Sequence, residues 1–135
     1  SGRQRPQTAS LQIRRQASQM IRAAVILAFM SVPAHAESFL SLAMDAGAGV
    51  HAFSKGNTVT EAQSGAMESC GALAGDCKII STRQNICMSL AFDYSNGGFG
   101  VWTAETADVA QREAVPHCAS YGNPNCQTVE TVCAQ

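Results

Sequence analysis

Two stretches of this chain share one pattern: residues 41–70 read SLAMDAGAGVHAFSKGNTVTEAQSGAMESC, and residues 89–118 read SLAFDYSNGGFGVWTAETADVAQREAVPHC. At a constant offset of 48, ten of the thirty aligned pairs are identical and no gap is needed. A fixed offset indicates that one supersecondary unit has been duplicated, and a unit too small to bury its own apolar face buries it against its copy. The sequence therefore predicts one domain made of two units.

Each unit is predicted to begin with a β-hairpin. Its first strand alternates apolar and small or polar residues, a glycine-rich turn follows, and a second strand comes after the turn. The predicted segments are first strands at 40–44 and 86–93, turns at 46–49 and 95–98, and second strands at 50–54 and 99–103.

A helix opened by a threonine cap should follow each hairpin. Thr58 and Glu61 have the spacing of a capping box, and Thr106 opens the second helix in the same way. The predicted buried faces are Val59, Ala62, Ala66, Cys70 and Leu73 in the first helix and Ala107, Ala110, Ala114 and Cys118 in the second. Pro116 removes a backbone hydrogen bond late in the second helix, so we expect that helix to end early or to kink there.

A final strand completes each unit, at residues 77–82 and 127–133, where Ile, Val and Thr are frequent. Each unit is therefore ββαβ, and the units span about 37–85 and 86–135. We predict an α+β domain in which a six-stranded, mainly antiparallel sheet carries two helices on one face. An internal pseudo-twofold axis should relate the units.

The first 36 residues have the features of an N-terminal extension and signal peptide. Arg14, Arg15 and Arg22 precede or begin a short apolar run at 23–32, and Ala-His-Ala at 34–36 is a small-residue cleavage pattern. We expect cleavage after residue 36, which leaves residues 37–135 as a single domain. The apolar run is too short for a stable membrane span, and an uncleaved N-terminal anchor is the alternative.

The segment after residue 36 is acidic. It holds four basic side chains and all ten acidic ones, a formal charge of −6, whereas the whole chain has −1. Such a domain should repel nucleic acid and anionic lipid, and it should be steered toward a cationic partner. The alternative interpretation is that the charge serves solubility alone.

Six cysteines in a small exported domain predict three disulfides. Cys126 and Cys133 lie on one predicted strand and would be roughly 23 Å apart, too far to pair. The predicted bonds are Cys70–Cys77, Cys118–Cys126 and Cys87–Cys133, with swapped partners between the units as the alternative. A zinc site is disfavoured because the cysteines form no C-x-x-C pair and lack a suitably spaced histidine. We predict no metal and no cofactor.

Catalysis finds little support in the sequence. His51 and His117 are the two histidines after residue 36, and neither lies near a nucleophile motif of the kind that a Ser-His-Asp or Cys-His site requires. Residues 93–98 resemble a calcium loop, but the closing position is Ala104 instead of a bidentate Glu, which favours a plain turn. We therefore predict no catalytic residue.

Trp102 is the best candidate for contact with a partner. Strict alternation places it on the opposite face of its strand from Phe99 and Val101, which are expected to pack inward. Exposed tryptophan is favoured in interface hot spots. Burial under a loop or helix is the alternative.

Four segments carry a resemblance to a known family: Asn85–Ala91, Gly98–Trp102, Ala110–Ala114 with Cys118, and Cys126–Cys133. In these segments the chain resembles the bacterial family called domain of unknown function 4189, and the likeness covers nearly all of the chain after residue 36. The resemblance implies a small exported, disulfide-bonded domain with no established activity.

These features favour a periplasmic or secreted bacterial protein that acts as a non-enzymatic binding module of the cell envelope, such as an inhibitor or immunity-type protein for a cationic envelope enzyme. Two alternatives stay open. An envelope hydrolase using His51 or His117 would place a histidine beside a serine or carboxylate in a cleft. A structural envelope or adhesin subunit would self-associate through a large exposed apolar patch.

Overall fold

The computed structural model describes residues 37–135, which belong to one compact unit. The predicted signal peptide, its cleavage site and the alternative anchor lie outside the described residues. In chain order the elements are β1 (Phe39–Asp45), β2 (Val50–Gly56), α1 (Val59–Gly71), β3 (Lys78–Gln84), β4 (Ile86–Asp93), β5 (Gly98–Ala104), α2 (Ala107–Ser120) and β6 (Gln127–Ala134). No helix of this part of the chain is both long enough and apolar enough to cross a membrane.

The six strands form two antiparallel sheets of three strands, in the orders β2-β1-β3 and β5-β4-β6. The first strand of each unit is therefore central. Both sheets also shift register at the same place, between Leu42 and Ala43 in β1 and between Leu90 and Ala91 in β4. These positions correspond at the offset of 48, so the duplication extends to the irregularities of the strands.

One core lies between the two sheets. Its fully or almost fully buried members are Leu40, Leu42 and Met44 of β1, Met88, Leu90 and Phe92 of β4, and Ala134 of β6. The alternate residues Ala43 and Ala91 point the other way, where each packs against the helix of its own unit. The order of layers is therefore helix, sheet, sheet, helix.

The α+β class, the two ββαβ units and the three disulfides are confirmed. The arrangement of the strands differs from the expected single sheet with both helices on one face, because each helix covers the outer face of its own three-stranded sheet. The large side chains of β1 and β4 explain the difference. In a single sheet with helices on one face only, this apolar surface would stay in water, whereas two facing sheets bury it completely.

The helices contact their sheets through small residues. Ala62, Ala66 and Cys70 of α1 and Ala110, Ala114 and Cys118 of α2 are buried. The predicted burial of Val59, Leu73 and Ala107 is wrong. Val59 and Ala107 are the first residues of their helices and Leu73 lies beyond the end of α1, so the contact with the sheet is confined to the middle and later turns.

Of the two outcomes expected at Pro116, an early end of α2 or a kink, the early end is wrong, since the helix continues to Ser120. Cys118 explains why the last turn stays helical. It is fully buried, it is bonded to Cys126, and it packs so closely on Gly100 that a Cβ added there would lie 2.5 Å from the Cys118 nitrogen. Tertiary contact thus offsets the hydrogen bond that Pro116 removes.

The three disulfides have the predicted partners. Cys70–Cys77 and Cys118–Cys126 tie the end of each helix to the start of the next strand, across sequence separations of 7 and 8. Cys87–Cys133 joins directly opposite residues of β4 and β6, with a separation of 46. All six cysteines are therefore consumed in bonds within one unit or the other.

Candidate functional site

Trp102 lies on the helix side of the second sheet. Phe99 and Val101 of β5 pack into the core between the sheets, so alternation along the strand turns Trp102 to the other face. Its strand partner is Ser89 of β4. This is the face that α2 covers, and Trp102 lies against the C-terminal part of that helix.

An aromatic side chain of α2, His117, adjoins Trp102, and that of the C-cap residue, Tyr121, adjoins His117. The ring of His117 lies edge-on, with its centroid 5.2 Å from that of Trp102 and 5.0 Å from that of Tyr121. The Tyr121 hydroxyl is 3.1 Å from His117 Nε2. The helical spacing of four residues brings His117 and Tyr121 together, and packing of α2 on β5 adds the tryptophan. We call Trp102, His117 and Tyr121 the aromatic surface.

The aromatic surface is accessible to a partner. Trp102 is 37% exposed and Tyr121 is 64% exposed, whereas His117 between them is half-buried. The contacts to His117 restrict both outer rings, so less side-chain freedom is lost when a partner binds. Large aromatic residues held in this way are enriched among interface hot spots.

A carboxylate lies beside this surface. Glu113 precedes His117 by one helical turn and so projects from the same side of α2. It is half-buried, and its Oε1 is 3.5 Å from Arg112 Nε. Aromatic faces and carboxylates both attract Lys and Arg side chains. Arg112 already pairs with Glu113, so the ring faces of Trp102 and Tyr121 are the groups that remain to attract a cationic side chain.

The first unit builds the same elements without these rings. At the offset of 48, Ser54 corresponds to Trp102, Ser69 to His117 and Leu73 to Tyr121. The hairpin, helix and disulfide of unit one form nonetheless. The repeated fold does not require the aromatic surface. The three residues of this surface therefore differ from those that both units need for packing.

His51 has a different environment. It lies on β2, and its Nε2 donates to Glu130 Oε2 of β6 at 2.7 Å. This is the histidine–carboxylate contact that a hydrolase would need, but no serine hydroxyl bonds to His51 among the described residues. Among the described residues, neither His51 nor His117 lines the cleft that the hairpin turns of the two units form.

Asp93 organises a turn. Its Oδ1 accepts from the Ser95 hydroxyl and N–H, and its Oδ2 accepts from Asn125 N–H. The pKa of Asp93 lies below its ordinary value, and the hydrogen bond from the Ser95 hydroxyl is the largest cause. Burial raises this pKa, and the hydrogen bonds from the N–H groups of Asn125 and Ser95 lower it. Both carboxylate oxygens thus have internal donors, which favours the turn interpretation of residues 93–98 over a calcium loop.

A cleft of about 360 Å³ lies where the hairpin turns of the two units meet. Its lining residues are Ala46, Gly47, Ala48 and Gly49 of unit one and Phe92, Tyr94, Ser95, Asn96 and Gly97 of unit two. Sequence reasoning missed this cleft because it treated the two turns separately. It also missed Tyr121, although the spacing of four residues from His117 could have identified that pair.

Comparison with known proteins gives one match. Neither a curated protein nor a solved structure matches the chain. The model of a family described as a domain of unknown function (DUF4189) matches residues 39–133, which includes every helix and strand described above except Ala134, the last residue of β6. The chain therefore belongs to the DUF4189 family.

Proposed function

We propose that this protein is an exported, non-enzymatic binding module of the bacterial cell envelope, and that its aromatic surface binds a cationic envelope protein in the manner of an inhibitor or immunity-type protein. The observation that carries the proposal is the aromatic surface itself: three clustered rings that the folding of the other unit does without. A feature absent from one copy and exposed on the other is explained better by recognition than by stability.

Export is supported by the three disulfides, which are compatible with a periplasmic or extracellular location. Such bonds persist in oxidising compartments and are rare in the cytosol. The signal peptide interpretation of the first 36 residues belongs to the same proposal.

A cationic partner is favoured by charge. The segment after residue 36 has a formal charge of −6. Long-range attraction would speed encounter with a positively charged protein, and Trp102 and Tyr121 would then supply contact area and cation–π attraction. Binding should accordingly weaken as salt rises.

The experiment uses the full chain with its disulfides formed as bait against an envelope extract, at about 50 mM and about 500 mM salt. We expect a basic protein to be retained at low salt and lost at high salt. The Trp102→Ala variant should lose it, because truncation of a tryptophan hot spot commonly costs 2 kcal/mol or more, roughly a thirtyfold loss of affinity.

Leu73→Ala is the matched control, because Leu73 is 74% exposed at the position of unit one that corresponds to Tyr121. It should retain the partner. The affinity of the captured protein, once purified, should show the same dependence on Trp102 and on salt. Equal recovery by the Trp102→Ala variant, or capture of acidic proteins only, would contradict the proposal.

A hydrolase is the second candidate, because His51 and Glu130 form a hydrogen-bonded pair. Turnover of envelope polymers or ester substrates that His51→Ala abolishes and His117→Ala spares would support it. Turnover that persists in both variants would remove the hydrolase hypothesis.

A further inference from the structure

We propose that the cleft between the two hairpin turns binds an uncharged saccharide, at a site separate from the aromatic surface. Its volume of about 360 Å³ lies within the range of about 300 to 1,000 Å³ that is typical of small-molecule sites. Both units contribute to its walls, so the site exists only in the assembled pair of repeats.

Tyr94 provides a fixed aromatic wall. Its ring packs on Gly49, where an added Cβ would lie 3.6 Å from Tyr94 Cε1, and edge-on against Phe92 at a centroid distance of 4.7 Å. Tyr94 nevertheless remains 58% exposed. A ring that is held on one side and open on the other can stack on the C–H face of a sugar at little cost in side-chain entropy.

The two turns differ where they face the cleft. Tyr94, Ser95 and Asn96 of unit two correspond to Ala46, Gly47 and Ala48 of unit one. The small residues of unit one leave space, and unit two supplies a ring, a hydroxyl and an amide. Because both turns form with such different residues, Tyr94 is not required for the hairpin, and its exposure is better explained by a ligand.

The cleft is uncharged within an acidic domain. Among the described residues, none of the side chains that line it carries a charge at neutral pH. The adjacent carboxylate of Asp45 accepts from the N–H groups of Ala48 and Asp76, and that of Asp93 is bonded as described above. Neither carboxylate is among the groups that line the cleft, and both accept from internal donors, so a cation inside the cleft would lack a carboxylate ligand. The net charge of the domain would repel an anion.

An uncharged saccharide fits these properties. Its C–H face matches the aromatic wall. The Ser95 hydroxyl donates to Asp93 and accepts from Asn125, and the Asn96 amide donates to Asn123 and accepts from Gly98 N–H. A sugar hydroxyl can therefore bond to the lone pair left on Ser95, to the second N–H and remaining lone pair of Asn96, and to the backbone of the turns. The shared chemistry is that of a neutral sugar ring, whether as a free monosaccharide or as a unit of an envelope glycan, and the test separates these sources.

The test is an NMR titration of the ¹⁵N-labelled full chain with glucose, N-acetylglucosamine and short linear oligomers of each. We expect shifts at residues 46–49 and 92–97, with a Kd on the order of 1 mM for a monosaccharide. Binding of an oligomer about tenfold or more tighter indicates a glycan, and equal affinities indicate a free sugar.

Two variants of Tyr94 test the aromatic wall. Tyr94→Ala should weaken binding about tenfold or more, whereas Tyr94→Phe should stay within about tenfold of wild type, because it loses one hydrogen bond and keeps the ring. Leu73→Ala, which removes an exposed apolar side chain outside the cleft, should bind as wild type does.

The proposal is overturned if no sugar shifts the turn residues, if the shifts map to the aromatic surface instead, or if glucuronate or glucosamine binds as tightly as the neutral sugars. It is also overturned if Tyr94→Phe loses as much affinity as Tyr94→Ala. If Tyr94→Ala unfolds, Tyr94→Leu takes its place, because leucine keeps apolar packing on Gly49 and Phe92 without an aromatic face, and it should also weaken binding about tenfold or more.

Discussion

His51 on β2 and Glu130 on β6 are joined by a 2.7 Å hydrogen bond that connects the two sheets. Each residue lies on an edge strand of its own three-stranded sheet, and the two belong to different units. The side chains are 22% and 47% exposed. The contact therefore adds a polar link at the margin of the apolar core.

We expect this link to stabilise the fold only weakly. A double-mutant cycle with His51→Ala and Glu130→Ala should give a coupling free energy of about 0.2–1 kcal/mol, the range of partly exposed pairs. The exposed pair Lys78–Asp76, 3.9 Å apart, serves as control and should give a smaller value. Denaturant unfolding of the wild type and of the three variants in each cycle measures both coupling energies. A coupling energy of zero for His51–Glu130 would show that the core alone joins the sheets.

Gly100→Ala should destabilise the protein by about 1–3 kcal/mol or more, because the new methyl group would overlap the backbone of α2 at Cys118. Gly71→Ala is the control, since a Cβ at Gly71 meets nothing within 4 Å. It should be neutral or stabilising by up to about 1 kcal/mol. Similar midpoints of urea unfolding for the two variants would contradict the close approach of α2 to β5.

The long disulfide should stabilise the fold more than either short one. By loop-closure entropy, loss of Cys87–Cys133 should cost about 4 kcal/mol and loss of Cys70–Cys77 about 2 kcal/mol. Double Cys→Ala variants of each bond, compared by thermal unfolding, measure the difference. The opposite order would indicate that native contacts near the bonds, and not loop length, set their contribution.

Asp93 should make stability depend on pH in the acid range. Because its pKa is lowered in the folded state, chiefly by the Ser95 hydroxyl, its carboxylate stabilises the fold above the unfolded-state pKa of about 4. That contribution is lost as the pH falls through the folded-state pKa. The free energy of unfolding should therefore decrease more steeply between about pH 5 and about pH 2 in wild type than in the Asp93→Asn variant.

The control for this pH dependence is Asp76→Asn, whose carboxylate is 81% exposed. In this variant the free energy of unfolding should decrease with falling pH as steeply as in wild type. Equal slopes for wild type and Asp93→Asn would show that the hydrogen bonds from Ser95 and Asn125 do not favour the charged form of Asp93.

Local features of the fold could be predicted because they depend on neighbours in sequence. Thr58 and Thr106 cap their helices as the capping pattern predicts. The two short cysteine bonds follow from the repeat, since each closes the same loop, and Cys87–Cys133 is the pair that remains. The separation into two sheets could not be predicted, because alternation along β1 shows that two faces differ but not whether the apolar one meets a helix or another sheet.

The candidate site was predictable in part. Alternation along β5 places Trp102 away from Phe99, as the structure has it. The meeting of Trp102 with His117 depends on how far α2 extends and how closely it lies on the sheet. Pro116 suggested a shorter helix, and only the buried contact between Cys118 and Gly100 reveals that the last turn persists.

The correspondence of Ser54 and Ser69 with Trp102 and His117 has an evolutionary consequence. The first half of the domain folds with small side chains at these positions. The corresponding residues of the second half can therefore change without loss of the fold, and new binding specificities can arise there. Relatives of this chain should accordingly differ most at positions 102, 117 and 121, while the cysteines and the buried alanines change slowly.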